Sequence, residues 1–532
     1  MDDDADGVET AVGEPPTDDD AAALSPPVPV RSVVRGVLVT AAGLTAGNVT
    51  ATLLGVRTPV HAVGARVIDL APASVREWAI DTLGTADKPA LQTGVVVVVL
   101  LVGVVAAHLA LTRRAIGFVV VAAFALAGML ASRTELDGAT AWLPALVAGV
   151  AAAVALALLT PTPLQQQRRA SGQDPWWFDR RAFLERAAAV GAAALVAQGL
   201  ATLTGRARTK EVAEAAELLD LPRPVEPGPV VGPDASVGRG VGPYLTPNDR
   251  FYRVDTALSV PAVDLDDWRL RVDGMVDREV ELTFEELLDL GVVERVVTLC
   301  CVSNEVGGPL VGNARWLGVP LTRVLDLAGV KPEASQLASE SADGWTCGFP
   351  TELARDGRDA LVAVGMNGDP LPLEHGFPAR LVVPGLYGYV SATKWLSRIT
   401  LTTMEDFDGY WIPRGWAKEA PVKTQSRIDV PRRGASIDAG SQVIAGVAWA
   451  QHRGIERVEV RVDDGPWLEA HLGDEVSVDA WRQWWVEWNA TKGEHRLQVR
   501  ATDGDGVTQT ERRARTVPDG ATGWHELDVE VG

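Results

Sequence analysis

The chain has 532 residues, 47% of them hydrophobic and 22% charged, with 70 acidic against 49 basic residues and a formal net charge of −21. That charge excludes a general nucleic-acid binder, because no basic face survives it easily. Three cysteines in such a length exclude a disulfide scaffold.

The charge is unevenly spread. Residues 1–204 hold 18 acidic and 14 basic residues, and the remainder holds 52 and 35. There are 7 lysines against 42 arginines. An acidic, lysine-poor surface suits a protein bathed in concentrated salt, which screens self-repulsion. An ordinary acidic protein of a GC-rich genome is the alternative.

Taken in chain order, residues 1–30 open with nine acids and no base before position 21, then several prolines. They read as a disordered acidic tail, and without early positive charge they are not a signal peptide. Five apolar runs follow within 31–204: Val33–Leu54, Thr93–Leu111, Ala115–Ser132, Thr140–Thr160 and Ala187–Leu203. About 20 apolar residues cross the hydrocarbon core as a helix, so the segment is predicted to be a five-helix membrane bundle in contact with lipid. Buried core helices are the alternative.

Arginines orient the bundle. Arg31 and Arg35, then Arg113 and Arg114, then Arg168, Arg169, Arg180 and Arg181 occupy alternate loops. These mark the cytoplasm and place everything after about residue 204 outside the cell membrane. Asp179-Arg180-Arg181-Ala182-Phe183-Leu184 before the last run resembles a twin-arginine export signal, though a plain positive-inside stop would look the same. His108 stands alone within the spans, so no bis-histidine haem site is evident, and no paired charges suggest a transport path.

Residues 205–244 read as a Pro/Gly-rich linker with a short helix near Lys210–Leu219. Residues 245–424 mix short strands and helices. Among them are a helix over Thr283–Leu290 capped by Thr283 and buried strands at Val296–Thr298 and Arg380–Val383. No phosphate-loop glycine motif is present. Residues 425–532 show short alternating strands (Gln442–Ala450, Arg457–Val462, Val476–Val478, Arg482–Trp488 and His495–Ala501) that predict a β-sandwich.

The chemistry centres on Thr298-Leu299-Cys300-Cys301-Val302-Ser303-Asn304-Glu305. Two adjacent cysteines lack the second pair of a structural zinc site. A thiolate at a strand end can be a soft metal ligand or a nucleophile, and a buried structural cysteine is the bland reading. Ordered motifs around it extend the picture. They are Asn248-Asp249-Arg250-Phe251-Tyr252-Arg253, Cys301 to Asn304, Gly312–Leu321, His375–Gly385 and Lys394-Trp395-Leu396. Over roughly 245–515 the chain resembles the sulfite oxidase family of molybdopterin-dependent oxidoreductases.

That resemblance implies an α+β molybdopterin-binding domain followed by an immunoglobulin-like sandwich that forms homodimers. It implies Cys301 as the metal's protein ligand, with Arg253 and Cys347 at the reacting side. It implies Asn248, Phe251, Tyr252, Arg253, Asn304, Ser341, His375, Arg380, Thr393 and Lys394 around the pterin. The cofactor is expected to be molybdenum-molybdopterin in its mononucleotide form, whose phosphate suits Arg380 and Lys394.

Sulfite oxidases carry arginines just after the Cys-x-x-Asn motif. Here Glu305-Val306-Gly307-Gly308 holds none, and Cys347 stands where those enzymes place a tyrosine. The expected function is two-electron oxygen-atom transfer on a small-molecule substrate, with an unidentified electron carrier. A sulfoxide-type reductase and sulfite oxidation proper are alternatives within enzymes. A membrane-anchored binding protein that kept the fold without the metal is the alternative outside them.

Overall fold

The molecule was analysed as a computed structural model. It describes residues 28–532, except residue 55, most positions between 73 and 86, residues 133–139, several between 163 and 175, and residues 258–259. The acidic tail expected before residue 28, and Arg168 and Arg169, lie outside the described residues. The chain divides into two units at Gly205/Arg206.

The first unit is helical. Its elements are α1 (Val28–Leu54), α2 (Pro59–Leu70), α3 (Asp87–Thr112), α4 (Arg114–Ala131), α5 (Leu143–Leu159) and the start of α6 (Trp176–Glu217). Among the described residues, four stretches are long and apolar enough to cross a membrane: Ser32–Leu54, Ala90–Thr112, Arg114–Ala131 and Arg181–Glu217. The expected fourth run differs. Thr140–Trp142 forms a turn, leaving α5 at 17 residues, about 25 Å at 1.5 Å per residue. The expected short helix at Lys210–Leu219 is the end of the 42-residue α6 rather than a separate element.

Glycine and alanine in the apolar runs have a packing role. A Cβ on Gly36 would lie 2.4 Å from Val104 Cα, and one on Gly117 would lie 2.5 Å from Ala106 O. Small residues let helix backbones approach where hydrophobic contrast with lipid offers little drive. Arg35 is buried and donates to Leu159 O at 2.8 Å, closing one helix's orphan carbonyl.

After the end of α6, the described residues of the second unit continue with ten strands and three helices. They are β1 (Leu270–Gly274), β2 (Val280–Leu282), α7 (Phe284–Asp289), β3 (Val293–Cys300), β4 (Val311–Pro320), α8 (Leu321–Ala328), β5 (Gln336–Ser341), β6 (Thr346–Pro350), β7 (Leu361–Met366), β8 (Asp369–Pro370), β9 (Arg380–Val382), α9 (Gly388–Ser391) and β10 (Leu396–Thr402). One sheet runs β2-β1-β10-β5-β6. The other runs β3-β4-β7-β8, with β9 beside β7. The β3 run reads Val-Glu-Arg-Val-Val-Thr-Leu-Cys, with its last five residues all buried, as a strand covered on both faces requires. Helix α7 starts where expected, with Thr283 Oγ1 accepting from the Glu286 amide and the Glu286 carboxylate accepting from the Thr283 amide.

Nine strands complete the unit: β11 (Gln425–Val430), β12 (Ser436–Ile437), β13 (Gly440–Trp449), β14 (Ile455–Val462), β15 (Trp467–Glu469), β16 (His471–Leu472), β17 (Arg482–Ala490), β18 (Gly493–Asp503) and β19 (His525–Val531). They form two sheets, β11-β13-β17-β16 and β12-β19-β18-β14-β15. Ile444, Trp484 and Ile428 from one sheet meet Val458, Val499 and Leu527 from the other in one core. Val476–Val478 is not a strand. Ser477 accepts from the Asp479 amide in a turn instead, the local bonding that makes serine compete with sheet ladders.

Candidate active site

Strand β3 delivers the two cysteines. Its ladder with β4 pairs Thr298 with Asn313 and Cys300 with Val311. Beyond it the chain folds into a loop held by three bonds. The Cys301 amide donates to Leu310 O at 3.0 Å, the Asn304 amide to Cys301 O at 3.0 Å, and the Leu310 amide to Asn304 Oδ1 at 2.8 Å. Successive residues of an extended chain face opposite ways. Cys301 accordingly lines a cleft, while Cys300 packs into the large core with Val296 and Val390.

Of the residues singled out from the sequence, Phe251, Tyr252, Cys301, Ser341, His375, Arg380 and Lys394 line this cleft. Five do not. Asn248 sits behind it, its Oδ1 accepting from Asn367 and its carbonyl from His375 Nε2 at 2.9 Å. Asn304 braces the Cys301 loop. The Arg253 side chain is 44% exposed and pairs with Asp255 at 2.9 Å. Thr393 and Cys347 form a buried cluster with Ser339, with contacts of 2.7, 3.1 and 3.3 Å. The expectation of Cys347 at the reacting side is corrected by this cluster: the cross-strand pairing of Ser339 with Cys347 turns the sulfur onto the hydroxyls. Burial pushes its pKa up to about 11, so it is a neutral thiol.

The cleft is also lined by Asp255, Asp343, Trp345, Tyr389 and Trp411, none of which was singled out from the sequence above. Asp255 carried a signal: it is the one acid in the Arg253–Thr256 stretch. Trp345 and Trp411 carried none, since one lies after a turn and the other in a loop. The Tyr389 hydroxyl donates to Ala417 O at 2.5 Å, and its ring sits 5.6 Å from that of Trp416.

Arg380 is 5% exposed and donates to His375 O at 3.0 Å. Its guanidinium lies 5.1 Å from the Trp316 ring centroid. It has no carboxylate partner among the described residues, and burial pulls its pKa down to about 10. A buried cation without a counter-ion is costly, so the site is built for an anion to complete.

Lys394 donates to Asp255 Oδ2 at 2.7 Å and Glu374 O at 3.1 Å. Burial brings its pKa down to about 8, against the opposing pull of Asp255. Burial also lowers His375, aided by the Arg380 charge, leaving it neutral with Nε2–H on the Asn248 carbonyl. The Cys301 thiol is raised by burial and eased back by Ser303. A metal would supply the charge that makes it a thiolate.

Gly376 is held at φ +113, and a Cβ there would lie 3.0 Å from Lys394 Cα. The adjoining Trp395 is itself left-handed at φ 51. Backbone strain of about 1–3 kcal/mol persists where surrounding packing fixes it, and Trp395 is fully enclosed, with Nε1 donating to Leu373 O.

A model of the oxidoreductase molybdopterin binding domain matches residues 257–411. The uncharacterized oxidoreductase YuiH of Bacillus subtilis (strain 168) is 37% identical over 155 residues, covering 29% of this chain and 74% of that protein. The chain belongs to the sulfite oxidase family of molybdopterin-dependent oxidoreductases. Mitochondrial sulfite oxidase of Rattus norvegicus is 31% identical over 343 residues, covering 54% of this chain and 62% of the rat protein. The chain thus spans less than two thirds of that relative's length. The crystal structure of the sulfane dehydrogenase SoxCD from Paracoccus pantotrophus matches at 26% identity and a TM-score of 0.49, over 56% of this chain and 83% of that one.

Membership of the sulfite oxidase family makes this an enzyme and implies a molybdenum cofactor. The cleft fits such a group. It offers a soft thiol for the metal, an uncompensated guanidinium for an anionic end, and aromatic rings along its walls.

Proposed function

We propose that the protein is a membrane-anchored molybdenum oxidoreductase, facing outward, that moves an oxygen atom to or from a small uncharged substrate while two electrons pass the opposite way. The observation that carries the cofactor reading is Arg380, buried in the Cys301 cleft with no carboxylate beside it. Cys301 would be the protein's ligand to the metal. Arg380 and Lys394 would hold the anionic end of the pterin, in its mononucleotide form, with His375, Phe251, Tyr252 and Ser341 along its length. Asn248, Asn304 and Thr393 would position these groups, and Arg253 would hold Asp255 against Lys394. When bound, the molybdenum centre supplies the oxygen transfer and the change of redox state.

An uncharged substrate is favoured because the stretch after Asn304 carries no cation, and the free wall is aromatic, formed by Trp345, Tyr389 and Trp411. Sulfite would meet Asp343 rather than an arginine fork. Sulfoxide-type compounds are therefore the second reading for substrate. A redox-dye screen of metal-loaded protein in high salt tests this. Sulfite turning over faster than neutral oxygen donors and acceptors would overturn it. A chain that binds no molybdenum under molybdate-replete growth would make it a binding protein instead.

Lys394 gives a pH test. Below about pH 8 its amine is charged and attracts an anion; above that it is neutral. Retention of the cofactor by dialysed protein is expected to fall as pH rises through 8, and Lys394→Arg is expected to remove that step. A flat profile in the parent protein would argue against the contact.

Outward placement rests on the alternate arginine loops and the twin-arginine stretch, a route that carries folded, cofactor-loaded domains. The broadly exposed Leu195, Val196, Leu200 and Leu203 of α6 support lipid as their neighbour. Protease added to intact cells should remove an epitope placed after Gly532; protection there, with cleavage after lysis, would reverse the orientation. The two-sheet domain is taken as immunoglobulin-like and as the homodimer contact, and a separate electron carrier is required.

A further inference from the structure

A second large cleft lies in the catalytic unit. It encloses about 1,220 Å³ open to solvent and is lined by Arg250, Arg427, Arg432, Arg433, Trp481 and His525, with Gly307 and Pro309 at its inner wall. It shares no lining residue with the Cys301 cleft. Arg427 is close enough to pull on the Cys300 thiol, and it donates to Gly308 O at 2.9 Å.

Charge makes this cleft unusual. On a chain of net charge −21, its lining has four arginines and one acid, Asp429. Asp429 is taken by Arg427 at 2.6 Å. Arg250, Arg432 and Arg433 are exposed, and none forms an ion pair among the described residues. Arg433 reaches only the Glu526 carbonyl at 3.0 Å. Three unneutralised guanidiniums therefore face one recess.

His525 adds a directed donor. It is 8% exposed, and its Nδ1 accepts from the Ile428 amide at 3.0 Å. The ring proton is thereby placed on Nε2. That nitrogen lies on the cleft side, where a Cβ on Gly307 would come within 2.3 Å of it, and it has no acceptor among the described residues. The positive surroundings are felt by the ring itself: burial and the charges of Arg433 and Arg427 bring His525 down to about 4. It stays a neutral donor rather than a fourth uncompensated cation.

We propose that this cleft is a second ligand site, separate from the molybdenum site, that takes a small oxyanion of two negative charges, sulfate- or phosphate-like. Arg250, Arg432 and Arg433 supply charge-assisted donors, and His525 Nε2–H supplies a neutral one. The anion would sit against Gly307–Pro309, the segment that closes onto Cys301 through the Leu310 carbonyl.

The test needs no metal. The full cofactor-free chain in detergent is titrated calorimetrically with sodium sulfate and sodium phosphate, at constant ionic strength set by sodium chloride. A saturable site is expected that the double substitution Arg432→Gln/Arg433→Gln weakens at least tenfold. Both side chains are on the surface, and a melting curve checks that the fold is kept. Lys394→Gln, which removes one of the two cations of the Cys301 cleft, is expected to leave the arginine-dependent site unchanged. Four results would overturn the proposal. They are no saturation, equal affinity in the double variant, loss of binding in Lys394→Gln, or self-association that needs the arginines without any oxyanion binding. The last would assign the cleft to contact between copies.

Discussion

Cys301→Ser is expected to lower turnover by about a thousandfold or more, equivalent to about 4 kcal/mol of transition-state stabilisation. The oxygen of serine is a hard donor, poorly matched to a metal held by sulfur. It replaces the one thiol that lines the cleft. The fold should be kept, since the loop is closed by backbone bonds from Cys301 and by Asn304, which the substitution spares. Cys300→Ser is the comparison. That thiol is 2% exposed and sits in the core, so its loss should cost stability while changing turnover less than about tenfold, or about 1.4 kcal/mol in the barrier. Molybdenum per protein, turnover and a melting curve measured on both variants separate the roles. Equal loss of metal from both would mean that the wrong sulfur has been assigned.

Arg380→Met should move stability and cofactor retention in opposite directions. Folding places this guanidinium in a dry setting with carbonyls and a tryptophan ring but no anion. Its pKa of about 10 lies below the usual value, so the folded state disfavours the charged form at every pH below about 10. That penalty would be relieved only as pH rises through 10. Exchange for an apolar side chain of similar length removes it. The cofactor-free variant is expected to melt no lower than the parent, and higher if the two carbonyls find water. Cofactor affinity should fall about a hundredfold, or about 3 kcal/mol, since the fixed counter-charge is lost. Melting temperature without cofactor and cofactor content after purification measure the two arms. A variant that melts far below the parent while empty would make Arg380 a structural brace.

What the sequence conveyed well was whatever depended on local pattern. The Thr283 cap, the β3 and β9 runs and the long alternating strands of the sandwich all follow from residue spacing, and each formed near its expected bounds. The cleft was legible where short motifs carried it: seven residues from five segments were brought to one surface. Failures came where chain direction decided the matter. Cys347 and Thr393 were within a residue or two of cleft positions, yet strand pairing and the turn at Trp395 point them into a hydroxyl cluster. Asp255, Trp345 and Trp411 reach the cleft from loops, where no periodicity announces orientation. The arginine-lined cleft was invisible because its charges come from two stretches far apart in the chain, position 250 and positions 427, 432 and 433. Among the described residues, four of the five expected apolar runs are long enough to cross a membrane; the run at Thr140–Thr160 falls short, since turn formation at Thr140–Trp142 is a local choice that an apolar count does not register.

The parity of strand β3 has a wider bearing. Eight consecutive pairings, from Val293 with Gly318 to Cys300 with Val311, lock its register against β4. A slip by one residue would present the neighbouring sulfur to the cleft, but it would also turn every buried side chain of the strand to its opposite face. The choice between two adjacent, chemically identical thiols is therefore not made in the pocket. It is enforced by the whole ladder, and point mutations around the pocket would leave it intact. Exchange of the two sulfurs would demand an insertion or deletion that the core would reject.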